Sequence, residues 1–129
     1  TTFGLPAEEW VFVGTYSTRG SVGLYVFSFD RATGKLTPRH SVQNPDSPSF
    51  IALHPTANYI YVANEAAEVG PKKTGTVAAY RVNRADGRLH YLGQQSSGGG
   101  GPCHVRVSPN GKWAAVSNYG GGSVALFPV

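Results

Sequence analysis

The sequence predicts an all-β protein made of β-propeller blades, each a sheet of four antiparallel strands. Three observations carry this. A segment recurs 54 residues further along the chain. Each copy divides into short runs rich in Val, Ile, Tyr and Phe, separated by Gly or Pro. No stretch of useful length shows a helical period. A repeat of ~40–50 residues built of four strands is the mark of a propeller blade. An immunoglobulin-like sandwich and a single small barrel are the rival all-β folds, and neither predicts such a repeat.

The repeat is clearest where SFIALHPTANYIYVANE (Ser49 to Glu65) is set over CHVRVSPNGKWAAVSNY (Cys103 to Tyr119). Pro55 falls on Pro109, Tyr59 on Trp113, Val62 on Val116 and Asn64 on Asn118. VFVGTY (Val11 to Tyr16) supplies a third, partial copy. GLYVFSFD, GTVAAYRV and GSVALFPV also align, as do RATGKLTPR and RADGRLHYL. Strand a is FIAL or HVRV, strand b YIYVAN or WAAVSN, strand c TVAAYRV and strand d RLHYLGQ. HPTANY and SPNGKW read as tight a–b turns, TGK and DGR as c–d turns in which Gly takes a positive φ.

In chain order the strands run b-c-d, a-b-c-d, a-b-c, about two and a half blades. The blade-like repeats are residues 10–48, 49–102 and 103–129 of a partial propeller domain spanning 1–129. Closed propellers have ~4–8 blades, so a fragment of a longer protein, or a chain that assembles with others, is expected. Starting at strand b suits a ring whose first blade is completed by the other terminus. The open edges and faces call for partners: the remaining blades or copies of the same chain.

Composition excludes several classes. With 40% hydrophobic and 14% charged residues, the 129-residue chain can bury a core. Its net charge of +4 is scattered, with Lys72–Lys73 the densest pair. Nucleic-acid binders carry basic stripes with interleaved aromatics, so no nucleic-acid partner is expected. No apolar run approaches a membrane span, and no membrane partner is expected. A single cysteine forbids an intrachain disulfide, fits a reducing compartment and gives no zinc signature. No metal or other cofactor is called for. The expected location is the cytoplasm. The chain begins at Thr1 without a methionine, so a removed signal peptide leaves a periplasmic or secreted alternative.

Antiparallel order decides which loops share a rim. The d–a and b–c connections lie on one side and the tight turns on the other. NPDSPS, SSGGGGPC, TYSTRGSVG, NEAAEVGPKKTG and NYGGG all fall on the first rim, the candidate functional face. SSGGGGPC lacks the Lys-Ser/Thr and the helix of a P-loop, so it reads as a d–a loop. Cys103 and His104 are strand neighbours and point to opposite faces. Cys103 therefore reads as a small packed residue rather than half of a dyad.

His104 replaces Phe50 in the repeat alignment, and Arg106 replaces Ala52. One side of this inner strand thus turns polar where the earlier repeat is apolar. Facing the central channel, His104 can move a proton and Arg106 can bind an anion; the alternative is that His104 bonds a neighbouring blade's backbone. Glu65 is suited to act as a base or to bind sugar hydroxyls. Asn64, Asn118 and Tyr119 end their b strands on the same rim, where the asparagines either contact a ligand or cap loops. Arg19, Lys72 and Lys73 either steer an anion or are solvated. His40, His54 and His90 read as structural or exposed.

VGTY, GLYVFSFDRATGKL, SFIALHPTANYIYVANE, GTVAAYRVNRADGRL and QQSSGGGGPCHVRVSPNGKWAAVSNYGGGSVALFPV together resemble the lactonase family of seven-bladed propellers. The resemblance runs from Trp10 to the end and matches the N-terminal part of such proteins. The family's namesake activity is 6-phosphogluconolactonase, and the chain is also similar to muconate cycloisomerase-type propellers. The resemblance implies metal-free hydrolysis of a small anionic sugar lactone in the pentose phosphate pathway, 6-phosphogluconolactone to 6-phosphogluconate. It implies His104 and Glu65 as catalytic residues and Arg106 as an anion contact; Asn64, Asn118 and Tyr119 join them as substrate-binding candidates from their place on the rim. The family's later His-containing motifs are absent from these 129 residues, so the piece alone is expected to be inactive. A cycloisomerase acting on a dicarboxylate and a non-catalytic ligand- or partner-binding propeller are the alternatives.

Overall fold

The computed structural model describes residues 8–69 and 74–129, with side chains omitted for 67–69. Lys72 and Lys73 lie outside the described residues. Ten strands follow in order: β1 (Glu8–Gly14), β2 (Gly23–Asp30), β3 (Leu36–Gln43), β4 (Pro48–Leu53), β5 (Tyr59–Val69), β6 (Thr74–Val82), β7 (Leu89–Ser96), β8 (Pro102–Val107), β9 (Trp113–Asn118) and β10 (Ser123–Pro128). They form three antiparallel meanders: β1-β2-β3, β4-β5-β6-β7 and β8-β9-β10. This is the b-c-d, a-b-c-d, a-b-c order that the repeats predict.

The turns follow from their glycines. Gly34 and Gly87 close the two c–d turns at φ 73° and 75°, and Gly111 the second described a–b turn at 71°. These are left-handed conformations that cost a side chain energy and glycine almost none. One boundary differs from expectation. Strand b of the central sheet does not stop at Asn64 but runs on to Val69, which pairs with Thr74 after a register shift. Glu65 and Ala66 therefore sit on a strand extension rather than in an open loop.

The central sheet is covered on both faces, which explains why its strands read as nearly continuous apolar runs. Ile60, Val62, Ala78 and Tyr80 meet Leu24 of the first sheet. Ala63 and Val77, on the opposite face, meet Val105 and Val116 of the third. Full burial of one such branched side chain contributes about 1.5–3 kcal/mol. The far face of the third sheet is open, with Trp113 and Leu126 exposed.

On the tight-turn rim, side chains of one sheet reach backbone carbonyls of the next. Trp10 Nε1 donates to Arg84 O at 2.8 Å. His40 Nε2 meets Asp86 O at 2.7 Å, and His54 Nε2 meets Gly111 O at 3.2 Å. His54 Nδ1 meanwhile accepts from the Thr56 and Ala57 N–H groups at 3.2 and 2.9 Å. These contacts fix the Nε2–H tautomer, so His54 acts as a blade-to-blade bridge. The structural reading of His40 and His54 follows directly from this geometry.

Candidate active site

The opposite rim gathers the d–a and b–c connections. Its inner strands share a detail that the sequence hides. The β4–β5 ladder shifts register between Pro48 and Phe50, and the β8–β9 ladder between Pro102 and His104, 54 residues later in both cases (102 − 48; 104 − 50). The bulged residues are Ser49 and Cys103. A bulge re-aims the side chains beside it.

His104 is exposed on β8, and its ring packs against Phe50 of β4, tilted at 47° with centroids 4.5 Å apart. The His thus leans on its own repeat-equivalent, the Phe it replaces. The His104 ring makes no hydrogen bond to backbone among the described residues. Cys103 turns away, with Sγ 3.9 Å from Ser117 O. Arg106 is exposed on the same side of β8 as His104. It lines a shallow recess of about 180 Å³ with Val107, Trp113, Ala115 and Leu126 on the open face of the third sheet. Among the described residues it forms no ion pair.

Glu65 is half-buried and hydrogen-bonded twice through one oxygen. Tyr16 Oη, from the first sheet's b–c loop, donates to Oε2 at 2.9 Å, and Ser49 Oγ donates to the same atom. The bond to Glu65, reinforced by the carboxylate's negative charge, raises the Tyr16 phenol above its ordinary value, while Arg19 nearby works weakly against it. Tyr16 therefore stays a donor throughout the neutral range. No hydrogen bond links Glu65 to His104 among the described residues.

Asn64 and Asn118 lie in the interior rather than at the solvent surface. Asn64 is fully buried; its Nδ2 donates to Thr76 Oγ1 at 2.9 Å and its Oδ1 accepts from Asn44 Nδ2 at 2.9 Å. Asn44 also donates to Tyr80 Oη at 3.2 Å. Asn118 is 2% exposed and donates to Ser97 O at 2.8 Å and Ser123 Oγ at 3.2 Å. Both amides thus tie neighbouring strands and loops together beneath the rim. Tyr119, in contrast, is 87% exposed at the rim.

The glycine run finds its explanation here. Gly98–Gly101 lies against Gly120–Gly122 of the following b–c loop. Tyr119 N donates to Gly101 O and Gly121 N to Gly100 O, both at 2.9 Å. A Cβ on Gly121 would stand 3.0 Å from Gly100 N. Two backbones come together where side chains would keep them apart. The run is a seam that carries β8 into the inner position, with the carbonyl oxygens of Gly99, Gly100 and Gly101 accepting from the amides of Gly75, Gly121 and Tyr119.

Sequence reasoning placed Glu65 and His104 on one rim but missed Tyr16 and Ser49. The signal was present: Tyr16, Glu65 and Tyr119 hold the same position in three successive repeats, and neighbouring blades bring such positions together.

Comparison with known proteins fits this architecture. Residues 10–129 match the family model "Lactonase, 7-bladed beta-propeller". The chain is 31% identical over 118 residues to a 6-phosphogluconolactonase of Bacillus subtilis, covering 92% of this chain and 32% of that relative. It is 30% identical over 120 residues to a 6-phosphogluconolactonase of Formosa agariphila, covering 92% and 33%. The structure of the periplasmic gluconolactonase of Pseudomonas aeruginosa superposes with a TM-score of 0.83 at 29% identity, over 95% of this chain and 35% of that one. The chain spans about a third of the length of the curated relatives it matches. Three blade-like sheets, the repeated inner-strand bulge and a match from residue 10 to residue 129 lead to one assignment: the chain belongs to the seven-bladed β-propeller lactonase family.

Proposed function

We propose that this chain forms part of a ring that hydrolyses a sugar lactone, 6-phosphogluconolactone to 6-phosphogluconate, with further blades or copies of itself closing the ring. The observation that carries the reading is His104. It is exposed on an inner strand, its ring packed at a tilt against Phe50 and making no hydrogen bond among the described residues. A neutral imidazole so placed takes a proton as the water oxygen bonds to the lactone carbonyl carbon. The ring C–O bond then breaks, and the leaving oxygen takes a proton back from the imidazolium. Arg106, on the same side of β8, supplies positive charge toward the anionic substrate. Tyr119 offers an exposed ring at the rim. Asn64 and Asn118 support these strands from beneath. Location in the cytoplasm suits the phosphorylated substrate.

The name of the Pseudomonas neighbour favours a second reading, an unphosphorylated gluconolactone in the periplasm. Hydrolysis of the two lactones, followed by proton release at a native mass established beforehand, tests both. The expected result is a preference for the phosphorylated lactone and a loss of about 10²–10⁴-fold in His104→Ala, the usual share of a general base. Undiminished turnover in His104→Ala would remove His104 from the mechanism. Equal rates on the two lactones would remove the phosphate preference.

A further inference from the structure

The strongest unexplained feature of the rim is the mounting beneath Glu65. Ser47 is the only non-glycine residue with positive φ among those described, at 54°. It is 5% exposed. A left-handed serine is strained and persists only where its surroundings over-determine it. Here they do. Ser47 O accepts from Glu65 N at 2.9 Å. Ser47 N donates to Ser17 Oγ and Ser17 N to Ser47 Oγ, both at 3.2 Å. Ser17 Oγ also donates to Asn44 O. One strained residue therefore holds the backbone of Glu65 and, through Ser17, the corner that carries Tyr16. The two side chains then meet: Tyr16 and Ser49 both donate to Oε2, and among the described residues nothing donates to Oε1.

We propose that Tyr16 and Ser49 are positioning residues that clamp Oε2 of Glu65 and present Oε1 as a fixed acceptor for the hydroxyl groups of a polyol chain. This rests on the sugar-lactone reading above and narrows it: Glu65 recognises substrate hydroxyls, and the proton work stays with His104. A carboxylate held by two donors across two blades has lost the freedom to swing that a proton shuttle needs. It has gained the preorganisation that makes a weak hydroxyl contact selective. The phenol raised by Glu65 agrees with this, since the donor role of Tyr16 is locked at neutral pH. Arg19 stands near enough to influence Tyr16.

Every group of this subsite lies in the first two sheets, so the chain itself can be tested. The probe is D-glucitol, a neutral hexitol, with 1,6-hexanediol as the control that lacks the inner hydroxyls. Binding is followed by NMR of chains carrying ¹³Cζ-labelled tyrosine. Glucitol is expected to shift the Tyr16 signal and hexanediol to leave it still. Tyr16→Phe and Ser49→Ala, read instead on backbone amides of the rim, should each weaken glucitol binding about tenfold, the lower end for a hydrogen bond to a charged group. Glu65→Gln should return the Tyr16 titration toward that of an ordinary phenol, which checks the contact, and should itself weaken glucitol binding, which a merely structural pair would not do.

Unchanged glucitol binding in both Tyr16→Phe and Ser49→Ala overturns the proposal, as does equal binding of hexanediol or no binding of glucitol by the native chain. Retained lactone hydrolysis alongside any of these leaves the lactonase reading standing. Absent hydrolysis by the closed ring, with an intact glucitol response, removes that reading alone. Should Tyr16→Phe fail to fold, glucitol binding by Ser49→Ala and by Glu65→Gln still decides.

Discussion

Replacing Asn44 by alanine tests how the buried polar network holds the first two sheets together. Asn44 Nδ2 reaches Asn64 Oδ1 at 2.9 Å and Tyr80 Oη at 3.2 Å. All three residues are nearly or fully buried. Truncation leaves the Asn64 carbonyl oxygen without its donor and the Tyr80 hydroxyl without its neighbour. A buried polar group stranded in this way costs about 1–3 kcal/mol, so Asn44→Ala should destabilise by about 2–4 kcal/mol. Tyr80→Phe removes one hydroxyl and strands less, about 1 kcal/mol. In the double variant the Tyr80 hydroxyl is no longer present to be stranded. The two losses should therefore fall short of additivity by about 1 kcal/mol, a size typical of residues sharing one network. Urea unfolding of the four proteins, followed by Trp10 and Trp113 fluorescence, measures this cycle. Additivity within about 0.3 kcal/mol, or a loss under about 0.5 kcal/mol for Asn44→Ala, would refute the network as a stabilising unit. The third repeat has made the same double change, with Gly98 in place of Asn44 and Phe127 in place of Tyr80. Asn118 Oδ1, the equivalent of the acceptor on Asn64, is the buried side-chain atom left without a partner among the described residues.

Two further predictions concern the junctions and turns. Gly75→Ala would place a Cβ 2.1 Å from Pro102 Cδ and 3.0 Å from Asn64 O. Overpacking of this kind costs about 1–3 kcal/mol, so a fall in melting temperature is expected and an unchanged one would contradict the seam geometry. Asp30 accepts from the Ala32 N–H at 2.8 Å, and that bond, followed by those from Thr33, holds its carboxyl below the ordinary 3.8. A depressed folded-state value means that its stabilisation is present above the unfolded-state value and fades as pH falls through the folded-state one. The stability gap between the native chain and Asp30→Ala should be flat at neutral pH and narrow in acid. A gap that widens in acid would reverse the sign.

Strand order and turns were legible because both rest on local rules. Richness in Val, Tyr and Phe between turn signals marks GLYVFSFD and TVAAYRV as strands, and DGR needs its glycine whatever surrounds it. The extension of β5 was not legible, because EAAEV has neither alternation nor β-branched density before Val69. Its state is set by backbone pairing of Val69 with Thr74, which no side-chain pattern announces. The left-handed Ser47 was hidden for a similar reason, since serine advertises a turn without naming its φ. At the site, the repeat alignment put Glu65, Tyr119 and His104 on one rim. It could not distinguish an outward Tyr119 from an inward Asn118 one residue earlier, because the end of β9 decides which points in.

The bridges on the tight-turn rim have a consequence for sequence drift. Trp10, His40 and His54 each grip a carbonyl oxygen of the next sheet, at Arg84, Asp86 and Gly111. Every residue type carries that oxygen. Arg84 and Asp86 can therefore vary among descendants without releasing the grip, whereas a change at Trp10 or His40 breaks it at once. Gly111 is the exception, pinned by its φ of 71° and by the His54 ring that would lie 2.6 Å from any Cβ. Inheritance at these junctions is one-sided: the grasping residue is constrained, and the residue it grasps is free to mutate.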